Sequence, residues 1–155
     1  MKPTTQEAFI ALFAAALALL TFAATTHAQN VETGIVKLAD SNIEYFSRGD
    51  GEAIVLLPGG TLTVGYLDGL ADELAKAGYR VVGINFRGSG KSTGPGEGVT
   101  LATMANDVAG VIQALKLAPA HVAGNDFGNR VARMVAASHP DLTRSVILLA
   151  AGGKI

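Results

Sequence analysis

"GNDFGNR", Gly124–Arg130, follows the apolar run "HVAG" and opens the helical pattern "FGNRVARMV". It reads G-x-D-x-G. This matches the G-x-S-x-G nucleophile elbow, with Asp126 where serine is expected. Small residues at Gly124 and Gly128 allow a tight turn and let the helix pack close to the strand. An elbow forces its central residue toward positive φ, which Asp tolerates better than most side chains. The N–H of Phe127 would then lie at a helix N-terminus, aimed at developing negative charge. A second reading uses the same strand, turn and helix: Asp is a preferred helix cap, and Asp126 could do no more than that.

Outward from the elbow, the chain alternates between β-rich runs and helical patterns. "TGIVKLADS" and "NIEYFSRG" alternate in polarity and read as an edge hairpin. "AIVLLPGG", "RVVGIN", "HVAGN" and "RSVILLA" are short continuous apolar runs, as expected of strands buried on both faces of a parallel sheet. Between them, three helices are predicted. Leu67–Ala77 carries Leu67, Leu70, Leu74 and Ala77 on one face; Thr100–Leu117 carries Leu101, Met104, Val108, Ile112 and Leu115; and Phe127–Ser138 carries Val131, Met134 and Val135. The implied fold class is α/β, a mostly parallel sheet flanked by helices. Ligands in such sheets bind outside the carboxyl ends of the strands. Three glycine-rich turns fall there: Pro58–Thr61, Arg87–Gly98 and the elbow itself.

Composition narrows the function. A net charge of −1 and the lack of any Lys/Arg run give no basis for a nucleic-acid partner. With no cysteine, thiol chemistry and zinc-thiolate sites are excluded, and nothing in the sequence calls for a metal or cofactor. Residues 1–28 combine Lys2, an apolar stretch from Ala8 to Leu20 and the small residues of Thr26-His27-Ala28. That is the pattern of an export signal with an A-x-A-like cleavage site, in a stretch short for a membrane span. The expectation is an exported protein, periplasmic or secreted, with residues 29–155 forming the folded part. Membrane contact is expected only through an uncleaved signal.

"GSGKST", Gly88–Thr93, competes as a phosphate loop. The full pattern needs glycine at position 85, where Asn85 stands. A phosphate loop also opens directly into a helix, whereas "TGPGEG" follows here. The dinucleotide pattern fails as well, since Thr93 occupies the place of its third glycine. A nucleotide-binding module is therefore disfavoured.

"AIVLLPGGTLTVGYLDGLADELAKAGYRVVGINFRGSGKSTGP", followed by "HVAGNDFGNRVARMVAASHPDLTRSVILLAAGG", resembles the first half of an α/β-hydrolase. The resemblance implies that the turn after the third strand supplies one oxyanion N–H, from Gly60 or Thr61, and that Phe127 supplies the other. An aspartate at the elbow resembles the dehalogenase and epoxide-hydrolase branch of that family. There a carboxylate attacks a saturated carbon to form an alkyl ester, and a histidine activates the water that hydrolyses it. This chain departs from that branch at four places. Pro58 replaces the usual histidine of the turn, Gly60 stands where a halide-holding Asn or Trp is common, Phe127 replaces a Trp, and Asn125 replaces the frequent His or Gln before the nucleophile.

The family's acid and histidine belong after the sixth strand, where this sequence has only "AAGGKI". The expectation is a fold truncated after the sixth strand, about half of an intact member. His121 begins its strand, ~16 Å from Asp126 at ~3.3 Å per residue. His139 lies past the helix, roughly 20 Å away at ~1.5 Å per residue. The parent activity implied is hydrolysis of a small organic ester, epoxide or halide, with this chain not turning over. The alternative is a hydrolase-like protein that binds without catalysis.

Overall fold

The computed structural model describes residues 31–151. The export signal expected over residues 1–28 lies outside them. The six strands are β1 (Glu32–Lys37), β2 (Asn42–Arg48), β3 (Glu52–Leu57), β4 (Tyr79–Ile84), β5 (Ala120–Asn125) and β6 (Thr143–Leu149). The helices are α1 (Asp68–Lys76), entered through a 3₁₀ turn at Val64–Leu67, α2 (Leu101–Ala114) and α3 (Gly128–Ser138). All six strands join one sheet in the order β1-β2-β4-β3-β5-β6. β1 and β2 form the expected antiparallel hairpin, β2 meets β4 antiparallel, and the β4, β3, β5 and β6 pairings are parallel.

The continuous apolar runs are explained by burial on two sides. Val55 and Leu57 of β3 face the core under α2 and α3, while Ile54 and Leu56 face the smaller core under α1. The same division holds in β4, where Val82 and Ile84 turn one way and Val81 the other. A strand covered on both faces has no polar side to alternate with. α2 starts at a reciprocal cap, with the Thr100 hydroxyl accepting the Thr103 N–H at 3.1 Å and the Thr103 hydroxyl accepting the Thr100 N–H at 3.2 Å.

One predicted stripe is corrected. Leu70 is exposed rather than buried, and Ala77 lies on the surface. The buried line of α1 instead runs through Leu67, Ala71 and Ala75, with Leu74 partly covered. Leu67, Ala71, Leu74 and Ala75 keep regular helical spacing, and the small alanines take the face that lies against the sheet.

Candidate active site

Asp126 sits at the end of β5 with φ of 48°, in the left-handed region. Its N–H donates to the Leu149 carbonyl at 3.1 Å, and its own carbonyl accepts the Asn129 N–H at 3.1 Å. The two flanking glycines are required sterically. A Cβ at Gly124 would collide with the Gly128 carbonyl. One at Gly128 would lie 2.6 Å from the Leu57 carbonyl oxygen and 2.7 Å from that of Pro58. The elbow therefore presses directly against the carboxyl end of β3.

That contact brings the predicted residues together. Gly59 faces the Asp126 carboxylate, since a Cβ built there would be 3.4 Å from Oδ2. Gly60 lies against Phe127, at 3.4 Å from a built Cβ to the Phe127 Cβ. Among the described residues, the N–H groups of Gly60, Thr61 and Phe127 donate to no protein group. Asp126 itself is exposed. α3 has no side-chain cap hydrogen bond, and its first turn is closed by backbone groups alone. The capping alternative for Asp126 finds no hydrogen bond to carry it.

Two residues of this region went unassigned in the sequence. Tyr66 Oη accepts the Gly59 N–H at 3.0 Å and donates to Asn125 Oδ1 at 2.8 Å, bridging the turns that flank Asp126. Asn129 is buried and pairs both ways with the end of β6. Its Nδ2 donates to the Leu149 carbonyl at 2.9 Å, and its Oδ1 accepts the Leu149 N–H at 3.1 Å. The signal for Asn129 was available, because asparagine is a poor helix former without a local task. For Tyr66, seven residues past Gly59 in an irregular turn, there was none.

The competing glycine-rich turn is structural. Arg87 is almost wholly buried and grips Asp107 with two hydrogen bonds, of 2.7 and 2.8 Å, while also reaching Asp40 at 3.2 Å. Hydrogen bonds to Asp107 come first in raising its pKa above the ordinary guanidinium value, outweighing the opposite effect of burial. Ser41 Oγ completes the network by donating to Asp107 Oδ1 at 2.8 Å. The Lys91 N–H donates at 2.8 Å to Glu44 Oε2, which also accepts from Asn85 Nδ2 at 2.8 Å. A carboxylate of the protein itself thus occupies a donor that a phosphate would need. Both described histidines are engaged elsewhere: His121 with Ser145 at 2.7 Å and His139 with Asn106 at 2.9 Å.

A strand-order reversal about β3 and β4, helices on both faces and an elbow closed by two obligatory glycines define the architecture. The family profile described as the alpha/beta hydrolase fold matches residues 52–154, and the chain belongs to that family. It is similar to the AB hydrolase superfamily protein YisY of Bacillus subtilis, with 37% identity over 66% of this chain and 39% of that one. It is also similar to the non-heme chloroperoxidase of Streptomyces lividans, with 34% identity over 76% of this chain and 44% of that one. Among solved structures, an epoxide hydrolase from an endophytic Streptomyces superposes with a TM-score of 0.75 and 27% identity, over 80% of this chain and 38% of that one. The chain spans about two-fifths of the length of these relatives.

Proposed function

We propose that Asp126 is the nucleophile of a hydrolase acting on a small organic electrophile: an epoxide, a halide or an ester. The observation that carries this is an exposed carboxylate held at φ of 48° on the elbow, with Gly59 beside it and Gly60 packed against Phe127. With an epoxide, one Asp126 oxygen forms a bond to a ring carbon. The ring C–O bond breaks, and the released alkoxide takes a proton from water. With an alkyl halide, the carbon–halogen bond breaks and halide leaves. Either route produces an alkyl ester on Asp126. When that ester is attacked by hydroxide, charge gathers on its carbonyl oxygen, where preorganised N–H donors are effective. Similarity to an epoxide hydrolase supports a carboxylate nucleophile over a serine-type mechanism.

The test is mass spectrometry of the purified chain after incubation with an aryl epoxide and, separately, with an alkyl bromide. The expected result is a single adduct mapping to Asp126 and missing from the Asp126→Asn variant, since Asn also tolerates positive φ. Absence of any adduct on the unmodified chain would sink the catalytic reading and favour a hydrolase-like protein that binds without reacting.

A further inference from the structure

At the opposite end of the sheet from Asp126, a second set of reactive side chains converges. Glu52 opens β3, His121 lies near the start of β5 and Ser145 near the start of β6. Ser145 Oγ is 2.7 Å from His121 Nδ1, and His121 Nε2 is 3.5 Å from Glu52 Oε1. Arg144 Nε holds the same Glu52 oxygen at 2.6 Å. The Tyr79 ring meets the imidazole edge-on, with centroids 6.5 Å apart at 87°.

The juxtaposition depends on a slip in register. Ala120 pairs with Thr143, but His121 pairs with Ser145, so one residue of β6 is passed over between them. In a regular ladder Arg144 would face His121, and Ser145 would point to the other side. Irregularities of this kind re-aim side chains and occur more often than expected near active sites.

From this geometry we infer that Ser145 is a nucleophilic serine, activated by His121 and oriented through Glu52, that accepts acyl groups from small activated esters. A serine hydroxyl is a weak nucleophile until a base lies within hydrogen-bond reach and a third group orients that base. Such sets are recognised by geometry and roles rather than by chain order. With the Nε2 proton directed at Glu52, Nδ1 is left as the acceptor for the serine proton. Ser145 Oγ bonds to the carbonyl carbon of an aryl ester as its proton passes to Nδ1. The carbon–aryloxide bond then breaks, and the aryloxide leaves with that proton as a phenol. The product is acyl-Ser145. Ser145 and Glu52 are both open to solvent, so the class of substrate is one whose leaving group, rather than a deep cavity, provides the drive.

The experiment is timed incubation of the full chain with 4-nitrophenyl acetate, with acetylation read site by site by peptide mass spectrometry. Ser145 is expected to acetylate at least about tenfold faster than exposed Ser138, since a positioned general base typically contributes more than that. His121→Gln should reduce Ser145 to the rate of Ser138, Glu52→Gln should lower it in part, and His139→Gln should leave it unchanged. Acetylation of Ser145 no faster than Ser138 in the unmodified chain would overturn the inference. So would a rate at Ser145 that His121→Gln and Glu52→Gln both leave intact. Neither result bears on Asp126, which lies at the other end of β5.

Discussion

Asp126 shows how much geometry one position can demand. Its positive φ is tolerable for aspartate, but the elbow also needs two neighbours with no side chain at all. Gly128 is confined by a segment distant in the chain, with backbone oxygens of Leu57 and Pro58 within 2.7 Å of where a Cβ would stand. Backbone cannot swing aside as a side chain can. Gly128→Ala is therefore expected to destabilise the fold by about 1–3 kcal/mol, as overpacking does, read from the urea midpoint. Gly59→Ala is the contrast. Its added methyl would make an ordinary contact with the Asp126 carboxylate at 3.4 Å. Unfolding should change by less than about 0.5 kcal/mol, as at a site free of such clashes, while access to Asp126 is reduced.

At the scale of elements, buried charge ties loops to the sheet. Arg87 joins the β4–α2 turn to Asp107 on α2 and to Asp40 in the β1–β2 turn. Arg87 and Asp107 are both nearly inaccessible, with side-chain exposures of 4% and 7%, whereas Asp40 is 61% exposed. Arg87→Ala leaves a carboxylate buried without its counter-charge and should cost about 3–5 kcal/mol. Asp40→Ala removes only a solvated partner and should cost less than about 1 kcal/mol. Denaturant unfolding of the two variants distinguishes the roles.

The β1–β2 hairpin carries a pH dependence. Tyr45 is buried against Gly34 and donates to Glu32 at 3.2 Å. Burial first, then the Glu32 charge and the hydrogen bond to it, raise the phenol's pKa. The folded chain therefore keeps a proton that the unfolded chain loses near pH ~10. That stabilisation is complete below ~10 and is lost as pH rises through the folded value. Tyr45→Phe should make the alkaline loss of stability shallower, as measured by urea unfolding between pH 8 and pH 11. An unchanged slope would mean that Tyr45 does not titrate with unfolding.

For the molecule as a whole, the decisive spatial fact is that no described histidine lies near the elbow. His121 is tied to Ser145 and Glu52 at the far end of the sheet, and His139 is bound to Asn106. Among the described residues, an ester formed on Asp126 would meet no histidine positioned to direct water at it. The purified 155-residue chain is thus expected to release at most one equivalent of bromide per molecule from an alkyl bromide, followed by ion chromatography. Steady release that Asp126→Asn abolishes would show a base acting at the elbow.

What the sequence by itself determined was the α/β class, the six strands and three α-helices in chain order, and the tight glycine-flanked turn at Asp126. Those follow from local chemistry: apolar runs need cover on both faces, helices show a period of about 3.6, and tight turns admit few residue types. The approach of the Pro58–Thr61 turn to the elbow was also legible, because strand ends in such sheets converge on one edge. Only the tertiary structure decided the rest. The burial of Ala71 rather than Leu70 turned on which face of α1 packs against the sheet. Tyr66 reached Gly59 and Asn125, Asn129 reached Leu149, and Ser145 reached His121 through contacts between segments distant in the chain. Such pairings depend on register and on the relative placement of strands, and a slip of one residue reverses which face a side chain takes. Period and composition are blind to that slip, so chemistry assembled across strands became visible only once the sheet was built.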